Sequence, residues 1–262
     1  MDFIEAIILG IIQGLTEFLP ISSSGHLEIA NKLLNNKIGS ENLLLIIVLH
    51  FGTAVSTLIV FKQDIMNIIH EFVNVKRNEK SSSFVLKIIY SMIPVVIVGL
   101  VFEEQIQNLF KGNLILVGFM LIITGLLLFL TDSQKSIKKN VSTKNAIIIG
   151  VSQAIAILPG ISRSGATIST AVLLGIKKNQ AAKFSFLMVV PIIIGKIIKD
   201  LATGDISYKE EMFPILIIGF LSSLITGIIA CKLMIKIVEN SKLKYFSIYC
   251  FLIGIICITT QI

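Results

Sequence analysis

The chain has 262 residues, of which 54% are hydrophobic and only 15% are charged, and its mean hydropathy is +0.89. Soluble globular proteins carry roughly 25% charged residues, so this composition excludes a soluble domain and indicates an integral membrane protein. The formal net charge of +7 does not indicate nucleic-acid binding, because the basic residues lie in short segments between apolar runs, where they set the orientation of insertion.

The first element is a segment that recurs in the second half of the chain. Residues 6–27 read AIILGIIQGLTEFLPISSSGHL and residues 146–167 read AIIIGVSQAIAILPGISRSGAT, with nine identities and no gap. In each copy a short apolar run ends in a turn rich in proline, glycine and serine, and a second short run follows. A helix needs about 20 apolar residues to cross a bilayer, so each copy predicts a re-entrant helical hairpin, at 5–36 and at 145–177. The alternative is two tight spans per copy, which runs of about 14 residues disfavour because the bilayer would have to thin severely.

Three longer apolar runs follow each hairpin, and each is near the length that spans a hydrocarbon core. The six runs lie at about 43–61, 84–102, 113–131, 184–203, 212–231 and 245–262. We therefore predict an all-α polytopic membrane protein with six transmembrane helices and two re-entrant hairpins. The single membrane domain, 1–262, then divides into a first repeat at 1–131 and a second at 145–262, each built of one hairpin and three helices.

The basic residues between these runs predict the orientation of the chain. Because positive charge is retained in the cytoplasm, the more basic set of loops is cytoplasmic, and the two repeats have inverted topology. The loops 62–87, 132–144, 177–183 and 232–244 hold sixteen lysines and arginines, whereas the loops 31–42, 103–112 and 202–211, together with the first residues of the chain, hold four.

The acidic Asp2 and Glu5 stand where a cleavable signal peptide would be basic, so we expect no processing.

The two hairpin turns predict where the functional site lies. Non-helical backbone at membrane depth survives only where protein or a watery cavity surrounds it, so two turns that meet near the midplane predict a polar pocket. Gln13 and Glu17 are four residues apart and share one face of the first half-helix. A carboxylate at this depth costs roughly 2.5 to 3.5 kcal/mol, so Glu17 is a functional residue unless it is merely paired for structure.

The serine-rich turns predict an anion site. Ser22, Ser23, Ser24 and Gly25 open the next half-helix, and although Ser23 or Ser24 would be an ordinary N-cap, a helix N-terminus also binds anions through its free amides. The second hairpin repeats the device and places Arg163 where the first has Ser23. Inversion turns the two helix ends toward each other, so we expect a site for a multiply charged anion such as a diphosphate. The other polar or small residues of the second turn are Gly160, Ser162, Ser164, Gly165 and Thr167.

Glu17 and His26 are the candidates for the chemistry. A carboxylate beside two positive helix ends is explained if Glu17 holds a divalent cation that bridges the phosphates, or if it works as an acid or base. His26 follows the turn directly and could protonate a leaving oxygen or take a proton from a serine hydroxyl. His50 is predicted to pack or to support the site, and His70 to lie among cytoplasmic charges. The three cysteines, Cys231, Cys250 and Cys257, lack CxxC spacing and are predicted to pack.

Four segments of the chain carry a resemblance to a known family. They are QGLTEFLPISSSGH at 13–26, LHFGT at 49–53, PGISRSGAT at 159–167 and KFSFLMVVP at 183–191. The first and third resemble the two signatures of the bacterial undecaprenyl-diphosphatase family, the bacitracin resistance proteins of cell-wall lipid recycling, and the likeness covers nearly the whole chain. It implies hydrolysis of undecaprenyl diphosphate to undecaprenyl phosphate and inorganic phosphate, by a multi-pass protein of the bacterial plasma membrane whose pocket faces outside.

The resemblance also implies a role for each matching residue. Glu17 is the essential acidic residue and binds a divalent cation, Mg²⁺ or Ca²⁺; Ser23 is a nucleophile or phosphate ligand. His26 is the acid or base, and Arg163 clamps the diphosphate. Gln13 stands where other members carry a second Glu, which puts a two-carboxylate metal site in doubt. The remaining implied substrate-binding residues are Gln13, Thr16, Ser22, Ser24, Gly25, Gly160, Ser162, Ser164, Gly165 and Thr167.

Several alternatives stay open at this point. Ser23 attacks the terminal phosphorus with His26 as base, which we favour, or it only orients the phosphate while a metal-bound water attacks. A transporter or flippase is the main rival to a phosphatase, because broken helices at the midplane are typical of secondary transporters. An ion channel is disfavoured, since the turns concentrate nucleophile-type side chains rather than rings of carbonyls or like charges. The partners are a polyprenyl diphosphate and membrane lipids, and a homodimer is left open.

Overall fold

The structure is a computed structural model, and helices account for nearly all of the residues that it describes. The described residues are 2–34, 40–73, 79–110, 112–132, 139–203, 212–239 and 243–260. Within these ranges there are twelve α-helices: α1 Phe3–Phe18, α2 Ser23–Leu33, α3 Ser40–Val60, α4 Lys62–Val73, α5 Glu79–Val101, α6 Glu103–Leu109, α7 Leu114–Asp132, α8 Thr143–Ile155, α9 Arg163–Leu173, α10 Lys178–Thr203, α11 Phe213–Glu239 and α12 Lys244–Thr260. The prediction of an all-α protein is confirmed.

Four short helices form two hairpins at the predicted places. Helices α1 and α2 have 16 and 11 residues, and α8 and α9 have 13 and 11. At about 1.5 Å per residue each is about 16 to 24 Å long, less than the roughly 30 Å of a hydrocarbon core. The hairpins run from 3 to 33 and from 143 to 173, whereas the predicted ranges are 5–36 and 145–177. Each hairpin therefore begins and ends slightly earlier than predicted. Residues 35 and 36 lie outside the described residues.

The long apolar helices confirm a polytopic membrane protein, with a count below the predicted six. By length and apolarity, four described helices qualify as spans: α5 from Ser83, α7, α10 up to Lys199, and α11. A fifth is counted if α3 and α4 form one broken span, since they are bent by 69° at Phe61. Helix α12 is apolar but has only 17 residues, about 25 Å, and so falls short of a standard span.

Two helices fall where the sequence predicts loops. Helix α4 lies in the expected loop 62–87, and α6 lies in 103–112. In α4 the apolar residues recur every three to four positions, and α6 has only seven residues, so neither reads as a continuous apolar run. Each meets one end of α10: Lys183 Nζ lies 2.6 Å from Asp64 Oδ1 of α4, and Lys199 Nζ lies 2.5 Å from Glu103 Oε1 of α6. Of the basic residues used to orient the chain, Lys37, Lys76, Arg77, Lys111, Lys135, Lys138, Lys209 and Lys242 lie outside the described residues.

The helices of the two halves interleave. Helix α1 packs on α11, α8 packs on α5, and α7 packs on α12, while α3 contacts both α10 and α11. Small residues allow the close approach, as is usual between membrane helices. A Cβ added to Gly150 of α8 would lie 2.3 Å from the backbone oxygen of Ser91 in α5. The two hairpins are therefore each held by a long helix from the opposite half of the chain.

Aromatic packing anchors the first turn. Phe18, at the end of α1, is fully buried and meets the ring of Phe186 of α10 edge-on, with centroids 5.5 Å apart. Phe61, at the bend between α3 and α4, lies 6.2 Å from the same ring. The first turn is thus anchored to α10, which lies in the other half. Cys231, Cys250 and Cys257 are free and buried, as predicted.

Candidate active site

The end of α1 presents the first polar pair. Gln13 and Glu17 lie on one face of the helix, and Gln13 Nε2 donates to Glu17 Oε2 at 3.0 Å. Gln13 is fully buried and Glu17 is 8% exposed. The helix ends at Phe18 because Pro20 follows and the cap residue Leu19 adopts extended backbone. The sequence prediction that both side chains share one face is confirmed.

Ser22 shapes the turn between α1 and α2. It is the N-cap of α2, and its Oγ accepts from the amide of Gly25 at 3.2 Å. Its φ of 72° is the one positive value at a non-glycine residue in the described chain, a conformation that costs of order 1 to 3 kcal/mol. Two hydrogen bonds offset this strain, because Ser22 O accepts from the amide and the ring Nδ1 of His26, at 3.1 and 2.8 Å.

The second turn is shaped by Gly160 and Ser162. Gly160 has a φ of 96°, and a Cβ there would lie 2.5 Å from the carbonyl oxygen of Val117 in α7, so only glycine fits. Ser162 caps α9 and accepts from the amide of Gly165 at 3.0 Å. Thr124 of α7 braces this turn: its Oγ1 accepts from Ser162 N at 3.0 Å and donates to Gly160 O at 3.2 Å.

The two turns touch each other, as the sequence predicts. A Cβ added to Gly25 would lie 3.2 Å from Gly160 Cα, and one added to Gly165 would lie 3.3 Å from Pro20 Cβ. Ser164 Oγ crosses between the hairpins and donates to Leu19 O at 3.3 Å. The N-termini of α2 and α9 are therefore brought together at one place.

Glu17 joins the two hairpins electrostatically. Its Oε1 accepts from Arg163 Nη2 at 2.6 Å, and its Oε2 accepts from Ser23 Oγ at 2.8 Å. The side chains of Arg163 and Glu17 are 14% and 8% exposed, so the ion pair is largely shielded from water. The structure thus brings together three of the four predicted catalytic residues. The same ion pair is also what is expected if Glu17 is paired only for structure.

Arg163 has a second anchor that the sequence did not indicate. Its Nη1 donates to the backbone oxygen of Ser185 in α10 at 3.1 Å. The hydroxyls of Ser185 and Thr167 are 2.5 Å apart, and Thr167 Oγ1 also donates to Arg163 O at 2.8 Å. Ser185 lies within the segment KFSFLMVVP, which carried part of the family resemblance, so that segment was the available signal.

His26 does not contact Ser23 by a hydrogen bond. Its Nδ1 bonds to Ser22 O, and its Nε2 lies 2.8 Å from the hydroxyl of Tyr249 in α12. Tyr249 was not a predicted site residue, and its apolar surroundings in α12 offer no sequence signal. The predicted use of His26 as the base for Ser23 is therefore not matched by a direct contact; Ser23 donates to Glu17 instead.

The remaining predicted residues divide into two groups. Ser24 and Ser164 lie at the turns, with their hydroxyls 3.3 and 3.2 Å from those of Ser22 and Ser162. Thr16 Oγ1 donates to Ile12 O of its own helix at 2.7 Å, so no side-chain bond joins it to the site. His50 likewise bonds to its own helix, with Nδ1 donating to the carbonyl of Ile46, which fits either predicted role, packing or support of the site.

The residues fit a divalent cation only in part. Gln13 Oε1 is buried and has no hydrogen-bond partner among the described residues. The other polar atom of the same side chain, Nε2, donates to Glu17, so Oε1 lies close to the carboxylate. The described residues contain no group of three or more His, Cys, Asp or Glu that could hold a metal ion. One carboxylate and one amide oxygen do not make a complete protein cage, but they fit an Mg²⁺-type site whose other ligands are water and substrate phosphates.

The repeat is not symmetric in its chemistry. Gln153 matches Gln13 and is also buried, yet neither polar atom of its side chain has a partner in the described part of the chain. Ile157 stands where the first hairpin has Glu17. The carboxylate therefore comes from the first hairpin alone and the guanidinium from the second.

Comparisons with known proteins place the chain in a family. A family model described as "Bacitracin resistance protein BacA" matches residues 6–256. A protein named undecaprenyl-diphosphatase from Christiangramia forsetii is 57% identical over 259 residues, which cover 98% of each chain. Proteins of the same name from Bacteroides fragilis and Methanobrevibacter smithii are 44% and 38% identical, over 100% and 98% of this chain and 99% and 96% of theirs. The chain belongs to the bacitracin resistance protein BacA family.

Proposed function

We propose that the protein hydrolyses undecaprenyl diphosphate to undecaprenyl phosphate and inorganic phosphate. The protein is an undecaprenyl-diphosphatase, as its relatives are named, and it belongs to the bacitracin resistance family. We infer that by this reaction it recycles the lipid carrier for cell-wall synthesis. The observation that carries the proposal is the junction of the two turns, where one carboxylate, Glu17, contacts both the hydroxyl of Ser23 and the guanidinium of Arg163.

The junction is suited to bind a diphosphate. A guanidinium has five donors, and the described partners of Arg163 use two of them, which leaves three for phosphate oxygens. The first amides of α2 and α9, those of Ser23, Ser24, Arg163 and Ser164, make no hydrogen bond to any described residue. Free amides at a helix N-terminus, next to a planar guanidinium, favour binding of a multiply charged anion.

The contacts of Ser23 support nucleophilic attack with Glu17 as the base. Ser23 Oγ forms a bond to the terminal phosphorus and gives its proton to Glu17 Oε2, to which it already donates at 2.8 Å. The bond between that phosphorus and the bridging oxygen breaks, so undecaprenyl phosphate leaves. In the second step the oxygen of a water molecule bonds to the phosphorus while the bond to Ser23 Oγ breaks. Glu17 returns its proton to Oγ, which restores Ser23, and inorganic phosphate leaves with the protons of the water. Arg163 stabilises the charge on the transferring group, and His26 exchanges a proton with a phosphate oxygen.

A divalent cation would be held by Glu17 and the unpartnered Oε1 of Gln13. When bound, it would neutralise charge on the phosphate oxygens. We expect a chelator to suppress phosphate release and added Mg²⁺ or Ca²⁺ to restore it. Gln13→Glu supplies a second carboxylate, so activity should survive and half-maximal restoration should need less cation. If restoration by cation is the same in Gln13→Glu and in the unaltered protein, Gln13 is not a ligand.

The same proposal includes a membrane orientation. We expect six spans, with α12 as a short one, and two re-entrant hairpins that enter from opposite faces as inverted repeats. The packing of α1 on α11 and of α8 on α5 supports an exchange of equivalent partners between the halves. The sixteen-to-four distribution of basic residues favours an active site open to the outside. The prenyl chain would leave sideways between helices into the lipid.

The deciding experiment is phosphate release by the purified protein in detergent. Micelles have no second compartment, so a flippase without hydrolytic activity releases nothing there. We expect stoichiometric release of phosphate from undecaprenyl diphosphate, and its loss in Ser23→Ala, which removes only one hydroxyl. Absence of release from the unaltered protein, together with lipid transfer across vesicle membranes, would establish the transporter alternative instead.

A further inference from the structure

Both nitrogens of the His26 ring are held by the protein. Nδ1 lies 2.8 Å from Ser22 O, and Nε2 lies 2.8 Å from the hydroxyl of Tyr249, which is 223 residues away in the chain. The two ring planes are only 13° apart, with centroids 5.6 Å from each other. Tyr249 belongs to α12, so this contact joins the first hairpin to the last helix that the structure describes.

These two partners determine the tautomer of His26. A backbone carbonyl can only accept a hydrogen bond, so Nδ1 must carry a hydrogen in both charge states of the ring. In the neutral ring Nε2 is then the unprotonated nitrogen, and the hydroxyl of Tyr249 donates to it. When the ring is protonated, Nε2 becomes a donor and the same phenol oxygen accepts. Tyr249 can therefore stabilise either state without movement of the ring.

Nε2 is consequently the only atom through which His26 can exchange a proton. We propose that Tyr249 is a positioning residue for His26: its hydroxyl holds Nε2 in a fixed direction until a phosphate oxygen of the substrate replaces it as the partner of that atom. The inference rests on the proposed function, in which His26 exchanges a proton with a phosphate oxygen. It adds a contribution from α12 to a site whose other residues come from the two turns and from α1, α2, α7, α9 and α10.

Simple packing does not account for the placement of Tyr249. The residue is 37% exposed, and a phenylalanine would fill the same space without a hydroxyl in an apolar helix. Tyr245 lies one turn earlier on α12 and is 60% exposed, and its ring contacts the ammonium group of Lys244 at 5.5 Å. It therefore provides a matched control on the same helix, outside the site.

The first test compares Tyr249→Phe with Tyr245→Phe in phosphate release and detergent melting. Each variant loses one hydroxyl and keeps its ring, so both should melt as the unaltered protein does. Groups that transfer protons contribute roughly a hundredfold to ten-thousandfold, and a positioning residue supports part of this. We expect kcat to fall about tenfold or more in Tyr249→Phe with KM within about twofold, and neither constant to change in Tyr245→Phe.

The second test reads the ring directly, by ¹⁵N NMR of protein labelled at its three histidines. The signals of His26 are assigned by their loss in His26→Gln. We expect Nδ1 protonated and Nε2 as a hydrogen-bonded acceptor, with the Nε2 signal moving toward that of a free acceptor in Tyr249→Phe and not in Tyr245→Phe. The shift is independent of turnover.

The two tests separate the inference from the proposed function. Absence of phosphate release from the unaltered protein refutes the proposed function, and the catalytic meaning of Tyr249 with it. If the unaltered protein is active, an unchanged kcat or an unchanged Nε2 signal in Tyr249→Phe overturns the inference alone. A lowered kcat accompanied by a shifted Nε2 signal and normal melting supports it.

Discussion

At the scale of single residues, the proposed site depends on the carboxylate of Glu17. It receives hydrogen bonds from Gln13, Ser23 and Arg163, so its charge is matched by three donors in a buried place. Glu17→Gln retains size and an acceptor oxygen but removes the charge that accepts a proton or binds a cation. We expect normal membrane insertion and a loss of at least about a hundredfold in phosphate release. Glu5→Gln, the same change in the first turn of α1, should have no effect; near-normal turnover in Glu17→Gln would remove the carboxylate from the mechanism.

Arg163 serves as a diphosphate clamp in the proposed function and as the ion-pair partner of Glu17 in the structure. Arg163→Lys keeps the charge but loses the planar fork, which a bidentate site does not tolerate. We expect kcat to fall by about a hundredfold to a thousandfold in Arg163→Lys and further in Arg163→Ala.

Melting temperature distinguishes the two roles of Arg163. If the residue only neutralises Glu17, Arg163→Ala leaves a buried unpaired charge, which costs about 3 to 5 kcal/mol, and the double variant with Glu17→Gln recovers stability. If it clamps the substrate, Arg163→Ala melts nearly normally while hydrolysis is lost. Low melting that the double variant rescues would mean that the residue is structural and that the clamp assignment is wrong.

At the scale of elements, close packing of α1 on α11 holds the first hairpin in place. A Cβ added to Gly14 would lie 1.9 Å from Thr226 Oγ1 and 2.7 Å from the backbone oxygen of Ser223, and backbone cannot rotate away. We expect Gly14→Ala to separate the helices at a cost of about 1 to 3 kcal/mol, seen as a lower melting temperature in detergent. Phosphate release should fall as well, because α1 carries Glu17.

Gly99 provides the control for that prediction. It lies within α5, and no atom comes within 4 Å of a Cβ added there. Gly99→Ala should melt at the same temperature or slightly higher, because alanine is favoured over glycine in a helix by about 1 kcal/mol. Equal effects of the two substitutions would show that the contact between α1 and α11 contributes little to stability.

At the scale of the whole molecule, the inverted topology can be tested by labelling. Single cysteines at Lys139, before α8, and at Glu104, in α6, should react with impermeant reagents from opposite faces of the membrane, in a background without the three native cysteines. A cysteine at Glu239, the last residue of α11, should label from the same face as Lys139. Labelling of Lys139 and Glu104 from one face would refute the inverted repeat.

The sequence by itself determined the class of the protein, both hairpins and most of the long helices. These features depend on local information: apolar runs, their length, and proline or glycine at the turns. Helices α4 and α6 were missed because the prediction rested on long continuous apolar runs. The apolar residues of α4 recur every three to four positions, which is the pattern of an amphipathic helix, whereas α6 has only seven residues and too few apolar positions to show a period. Local sequence pattern is also what singled out Glu17, Ser23, His26 and Arg163 as candidates, because they stand beside the two recognisable turns.

Only the tertiary structure decided which of these side chains contact one another. Glu17 and Arg163 are 146 residues apart, and His26 and Tyr249 are 223 apart, so no periodicity relates them. The structure paired Ser23 with Glu17 rather than with His26, and it added Thr124, Ser185 and Tyr249 from long helices that read as plain spans. A single hydroxyl in an apolar helix acquires a role only when packing places it against a particular partner, and that placement depends on contacts between residues far apart in the chain.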